Sequence, residues 1–158
     1  MPKRNFFQDR DLFLQLLEIE LRRSLRYQSF TSVLLIEIPR ARETDPQGAN
    51  TLFEKVAASL GSQIRETDLI GSTKENMITV ILLNCDTRCT GEVANRVGAW
   101  VLHYFGSAHD DRPSNLRLGV GVACFPTHAT DLEHLLTTAS ESLDISKRQL
   151  ATQIEFEV

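Results

Sequence analysis

Residues 68–83, DLIGSTKENMITVILL, decide how this chain folds. Two short apolar runs, 68–72 and 78–83, lie on either side of the polar stretch STKENM. Apolar runs of this length around a polar turn are typical of a β-hairpin. The sequence therefore predicts a hairpin near its centre, and with it a sheet that other segments must complete.

Outward from this hairpin, helical and extended patterns alternate. The stretch TSVLLIEI at 31–38 is almost entirely apolar and predicts a central strand. Predicted helices are 9–27, 50–65 (capped by Asn50), about 90–105 and 131–149; predicted strands are 31–38, 68–72, 78–83, 116–125 and 153–158; predicted loops are 39–49 and 109–114. In the first helix, Leu12, Leu16, Ile19 and Leu25 or Tyr27 recur at helical spacing.

This order predicts a single domain over 1–158. Its fold class is an α/β sandwich of the α+β type, with a mixed, mostly antiparallel central sheet of about five strands flanked by helices. A chain of 158 residues is long enough for one hydrophobic core. We see no internal repeat and no segment of low complexity.

Composition narrows the classes of function. The formal net charge of −4 argues against binding to a nucleic-acid polymer. No apolar run approaches the roughly 20 residues of a membrane span, so we expect a cytoplasmic protein.

The three cysteines, Cys85, Cys89 and Cys124, are an odd number without a CxxC pair. This pattern fits a reducing compartment, and we expect three free thiols rather than a metal site. No cofactor is predicted.

Four segments, in order, resemble one family. They are ELRRSLRY at 20–27 with the strand after it, IRETDLIG at 64–71, LGVGVACFP at 118–126 and LDISK at 143–147. Together they resemble GGDEF domains, the bacterial diguanylate cyclases, over nearly the whole chain. The resemblance implies the nucleotide-cyclase fold and a place in bacterial second-messenger signalling.

The family's signature is replaced on the hairpin turn. Its positions are occupied by Lys74, Glu75, Asn76, Met77 and Ile78. In the family, two glycines let the backbone approach the GTP phosphates, and a carboxylate at the third position binds the catalytic metal. Asn76 is a poor substitute for that carboxylate, and Met77 cannot bind Mg²⁺.

Other positions of the family's reaction centre also differ. Glu37 and Lys147 match, but Pro39 and Asn50 stand where the family has aspartates. Two-metal phosphoryl transfer requires ligands that this chain lacks. The resemblance therefore predicts a degenerate domain with no catalytic residues and no metal.

The family also has an inhibitory site for cyclic di-GMP, an RxxD motif five residues before the signature. Arg65 and Asp68 form this motif at that spacing, Arg96 matches a further arginine on the next helix, and Arg23 matches one that a neighbouring domain supplies. Guanidinium groups can bind guanine edges and phosphates, and aspartate can accept from guanine N–H groups. The structural alternative is a surface pair between Arg65 and Asp68, worth roughly 0–1 kcal/mol, with Arg23 on a solvated helix face.

Three functions remain in competition. The first is a catalytically inactive receptor for cyclic di-GMP, with Arg23 of a second copy able to join two domains. The second is a ligand-free interaction or dimerisation module whose partner is another protein or a second copy. The third is residual binding of GTP at the former reaction centre.

Overall fold

Helices and strands alternate along the chain in a computed structural model that describes residues 6–37, 54–106 and 119–157. Side chains are described for 6–37, 54–104 and 119–149. The helices are α1 (Arg10–Tyr27), α2 (described over 54–60), α3 (Thr87–Gly106) and α4 (Leu132–Glu157), and the strands are β1 (Thr31–Glu37), β2 (Leu69–Gly71), β3 (Met77–Leu83) and β4 (Val120–Phe125).

The strands form one antiparallel sheet in the order β2-β3-β1-β4. The predicted hairpin is confirmed, since β2 pairs with β3 and Gly71 lies opposite Thr79. The predicted central strand is confirmed too. Every residue of β1 except Glu37 is buried, because both of its faces are covered by helices.

Side chains of β1 alternate between two hydrophobic layers, as a strand requires. Leu34 and Ile36 pack with α2 and α3 on one face. Val33 and Leu35 pack with α1 and α4 on the other. The predicted class, an α/β sandwich around an antiparallel sheet, is therefore confirmed. Across the described ranges, no helix combines the length and apolar character that a bilayer crossing requires.

The predicted fifth strand is wrong. Residues 153–157 continue α4 instead, and Val158 lies outside the described residues. Two backbone N–H groups on the outer edge of β4 already have hydrogen-bond partners on α4, so they do not require pairing with a further strand. The N–H groups at Val120 and Val122 donate to the hydroxyls of Ser146 and Ser142, at 2.9 and 3.0 Å. Side chains of α4 thus occupy donors that another strand would have used.

The apolar stripe predicted for α1 is also wrong. The residues buried on this helix are Phe13, Leu17, Leu21 and Ser24, whereas Leu12, Ile19, Leu25 and Tyr27 are exposed. Two apolar stripes overlap on α1, and the buried one includes Phe13, which packs against Gly71. The ring of Phe13 lies where a Cβ at position 71 would be, with a closest approach of 2.4 Å.

Some predicted boundaries fall outside the described residues. They are the loops at 39–49 and 109–114, the cap at Asn50 and the first residues of the strand predicted at 116–125. The second helix does not reach Arg65, because the chain tightens into a 3₁₀ turn at Gly61–Gln63 and becomes extended at Ile64.

Close contact between α4 and β4 depends on glycine. A Cβ added at Gly121 would lie 2.2 Å from the carbonyl oxygen of Ala139 and 2.7 Å from Cβ of Leu143. Neither neighbour is the flexible end of a side chain, so α4 would have to move.

We expect Gly121→Ala to lower the free energy of unfolding by about 1–3 kcal/mol, as overpacking does, in urea denaturation. Gly98→Ala is the matched control, because an added Cβ there has no neighbour within 4 Å. Alanine is a better helix former than glycine at this position in α3, so the free energy of unfolding of the control should rise by about 0.5–1 kcal/mol. Equal stability of Gly121→Ala and the wild type would contradict this account of the α4–β4 contact.

Candidate functional site

The buried carboxylate of Asp68 closes the turn that leads into β2. Its Oδ2 accepts from the backbone N–H of Arg65 at 3.0 Å, and the N–H of Asp68 donates back to the carbonyl of Arg65 at 3.1 Å. Its Oδ1 accepts from the N–H of Leu83 at 3.3 Å. The side chain of Asp68 is 1% exposed. The carboxylate therefore holds the turn against the end of β3, whereas the resemblance implies that it accepts from guanine N–H groups of a ligand.

Arg65 lies in this turn, with 48% of its side chain exposed. Its Nη2 donates to the carbonyl of Leu83 and lies 3.5 Å from Oδ1 of Asp68. Both contacts use one nitrogen of a group that has five N–H donors. The guanidinium group is therefore fixed at one end, while much of the side chain faces solvent.

Arg96 approaches the same segment from α3. Its side chain is exposed, and its Nε donates to the carbonyl of Gln63 at 2.9 Å. Gln63 lies two residues before Arg65 in the chain. Two exposed guanidinium groups are thus anchored on backbone carbonyls, at Gln63 and Leu83, around one short segment. The structure brings Arg65, Asp68 and Arg96 together in this region. Sequence reasoning did not identify the two anchoring carbonyls, because backbone acceptors leave no trace in residue type.

Arg23 lies elsewhere. It projects from α1, which packs on the face of the sheet opposite α3. Its side chain is 65% exposed, and its Nη1 lies 3.5 Å from the carboxylate of Glu20 one turn earlier. Within one chain, the sheet separates Arg23 from the helix layer that carries Arg96.

The hairpin turn has the polar and apolar residues of an ordinary β-turn. Lys74 and Glu75 are exposed, and Asn76 has a φ of 59°, a left-handed conformation that asparagine tolerates. Met77 and Ile78 are buried on opposite faces of the sheet, at 6% and 0% exposure. Buried apolar side chains thus form the start of β3, at the two positions that align with the last two residues of the family's signature.

Glu37, at a position that the resemblance assigns to the family's reaction centre, is paired with another side chain. The ammonium group of Lys147 donates to Oε2 of Glu37. Directly across the sheet from Glu37 lies Met77, whose thioether offers no anionic oxygen. These residues do not fit the magnesium pair that the family uses. In the described part of the chain, no three His, Cys, Asp or Glu side chains converge in a way that could hold a metal ion.

The loop after β3 corrects the prediction of three free thiols. Cys85 and Cys89 form a disulfide, and only Cys124 is a free, buried cysteine among the described residues. Cys85 precedes α3 and Cys89 lies in its first turn, so a spacing of four here bridges a strand end and a helix start. Counting cysteines missed this pair because an odd total does not exclude one disulfide.

Solved structures with this fold include GGDEF domains of bacterial proteins. TpbB (also YfiN) of Pseudomonas aeruginosa, as its GGDEF domain only, shares 24% identity with a TM-score of 0.68, covering 94% of this chain and 88% of that one. The GGDEF domain of FimX from the same organism shares 14% identity with a TM-score of 0.70, covering 94% and 93%. The GGDEF domain of DgcB from Caulobacter crescentus, solved in complex with c-di-GMP, shares 15% identity with a TM-score of 0.66, covering 89% and 85%.

No curated protein matches the chain in sequence. The family model described as "Diguanylate cyclase, GGDEF domain" matches residues 7–153. This match spans the sheet, the four helices, the hairpin turn and the Arg65–Arg96 region together. The chain therefore belongs to the GGDEF domain family of cyclic di-GMP signalling.

Proposed function

We propose that this domain is a receptor for cyclic di-GMP that has no cyclase activity of its own. The observation that carries the proposal is the pair of exposed guanidinium groups, Arg65 and Arg96, anchored around the segment at 63–65. Their two positive charges match the two negative charges of the dinucleotide. Arginine suits this ligand because its planar fork can bind phosphate or the O6 and N7 edge of guanine.

The anchoring carbonyls favour binding. An arginine that is already held in place loses less conformational entropy when a ligand arrives. Asp68 acts here as a positioning residue, because its carboxylate is buried and already accepts two backbone N–H groups. In a dimeric complex, Arg23 of a second copy would supply a further charge. We assign this activity to the cytoplasm, and the fold shared with DgcB, solved with c-di-GMP, supports the choice of ligand.

Loss of catalysis follows from the former reaction centre. Glu37 is paired with Lys147, Met77 is buried opposite it, and Asn76 is neutral. Phosphoryl transfer in this family needs metals that neutralise charge in the transition state, and this set offers no second carboxylate to hold them.

A second function has one observation in its favour. Leu12, Ile19 and Leu25 are exposed on α1, together with Phe30 just after it. Leu12 and Ile19 are seven residues apart and so share one face of the helix, and an exposed apolar face is the kind of surface that binds proteins. They favour the alternative of a ligand-free interaction or dimerisation module on the same fold.

Isothermal calorimetry with cyclic di-GMP tests the proposal directly. We expect a dissociation constant in the micromolar range or tighter, which corresponds to about −8 kcal/mol. Because each charged hydrogen bond contributes about 1.5–3 kcal/mol, Arg65→Ala and Arg96→Ala should each weaken binding about tenfold or more. Arg65→Lys should weaken binding too, since lysine keeps the charge but loses the fork.

Arg88→Ala is the matched control. Arg88 lies on α3, the helix that carries Arg96, has 89% of its side chain exposed and pairs with Glu92. Its affinity should equal that of the wild type. Heat that persists unchanged in Arg65→Ala would refute the site, and absence of heat in the folded wild type would favour the interaction module.

Asp68→Asn separates a positioning role from direct contact with the ligand. The amide would turn an N–H group toward a backbone donor, so we expect the free energy of unfolding to fall by about 1–3 kcal/mol without any ligand. Asp144→Asn, at an exposed position on α4, should change stability by less than about 0.5 kcal/mol. If Asp68→Asn loses affinity for cyclic di-GMP at unchanged stability, the carboxylate contacts the ligand and our assignment is wrong.

Incubation with GTP and Mg²⁺ tests the absence of catalysis. We expect no cyclic di-GMP above the no-enzyme blank by mass spectrometry, and no rise in melting temperature, since a ligand of the native state must raise it. A thermal shift without product would support residual GTP binding at the former centre. Steady formation of cyclic di-GMP would disprove the assignment as a receptor without cyclase activity.

A further inference from the structure

A disulfide joins the end of the sheet to the start of α3. Cys85 follows β3 and Cys89 lies in the first helical turn, with their Cα atoms 5.2 Å apart. This separation is within the range that disulfides require without movement of the backbone. The bridge closes a short loop that contains Asp86, whose carboxylate accepts from the N–H of Cys89 at 2.9 Å.

The two sulfurs differ in surroundings. Cys85 is fully buried, and its backbone is tied to β1: its N–H donates to the carbonyl of Phe30 at 3.2 Å, and its carbonyl accepts from the hydroxyl of Ser32 at 2.8 Å. Cys89 is half-buried on the helix side. A reductant from solvent therefore meets Cys89 first, while Cys85 stays fixed to the sheet.

The structure also provides for the reduced state. The hydroxyl oxygen of Thr90 lies 3.6 Å from Sγ of Cys85 and can accept from a thiol there. A buried thiol at Cys85 would thus have a hydrogen-bond partner, so reduction would leave no buried polar group without one at this position.

The bridge lies between the strand end that binds Arg65 and the helix that carries Arg96. Arg65 binds the carbonyl of Leu83, two residues before Cys85. Arg96 follows Cys89 by seven residues, about two turns of α3, so both project from one side of the helix. The disulfide therefore shortens the covalent path from Leu83, whose carbonyl binds Arg65, to the helix that carries Arg96.

We propose that Cys85 and Cys89 form a reversible thiol–disulfide site, and that its oxidised state holds Arg65 and Arg96 in the arrangement that binds the dinucleotide. The claim that the oxidised state favours dinucleotide binding rests on the proposed function. In a reducing compartment a disulfide is more often redox-sensing than structural, which suits a signalling domain.

The chemistry uses a thiol or dithiol of the cell as the reductant. Its thiolate attacks Sγ of Cys89, a mixed disulfide forms, and Cys85 leaves as a thiolate that takes up a proton. A second thiol then displaces Cys89, so two reductant thiols become one disulfide and the protein gains two thiols. Oxidation by a disulfide of the same class reverses both steps.

Counting thiols in the native protein tests the site without any ligand. The protein is equilibrated with mixtures of reduced and oxidised dithiothreitol or glutathione, quenched in acid, unfolded and alkylated. We expect one reversible transition between one alkylated cysteine, Cys124, and all three. Three free thiols in every oxidising mixture, or a bridge that opens only in denaturant, would overturn the site. A glutathione adduct without the Cys85–Cys89 link would overturn it as well.

Calorimetry with cyclic di-GMP then tests the coupling. We expect the oxidised protein to bind about fivefold more tightly or better, in the range of typical coupling between sites. Cys89→Ala, at the half-buried position, should bind equally in oxidising and reducing buffer, at the affinity of the reduced wild type. Equal affinity of the two wild-type states would overturn the coupling. Absence of binding in both states would instead count against the proposed function, while the thiol count still decides the redox site.

Discussion

The buried carboxylate of Asp68 is the constraint on which the proposed site depends. It accepts from the backbone N–H groups of Arg65 and Leu83, and so fixes a turn against the end of a central strand. With that turn in place, the guanidinium group of Arg65 binds the carbonyl of Leu83, and Arg96 reaches the carbonyl of Gln63 from α3. Leaving such a carboxylate buried without these donors would cost about 1–3 kcal/mol or more, so the position of Arg65 depends on Asp68.

The positions that align with the family's reaction centre contribute to the framework of this domain. Lys147 and Glu37 hold α4 against the end of β1, and Met77 fills the layer between α1 and the sheet. The residues that the family uses for chemistry thus contribute packing and one ion pair here. A domain of this kind can still transmit a signal, since ligand binding at one end of a rigid sheet can change what the domain assembles with.

The sequence predicted β1 and the hairpin because a fully buried strand and a polar turn each have a local pattern. It could not predict which face of α1 is buried, because two apolar stripes overlap on this helix and the contact of Phe13 with Gly71 joins residues far apart in the sequence. The final strand was predicted where α4 continues, since alternating apolar residues near a chain end fit either element. Spacing identified Arg65 and Asp68 as neighbours, but only the fold shows that the carboxylate is buried and that backbone carbonyls anchor the arginines.

A crystal structure of the oxidised domain with cyclic di-GMP tests the central claim most directly. The account predicts that phosphate or guanine atoms of the ligand lie within hydrogen-bond distance of the guanidinium groups of both Arg65 and Arg96, with Asp68 still bound to the backbone N–H of Leu83. A ligand seated instead against Glu37 and Lys147, or one that touches neither arginine, would contradict it.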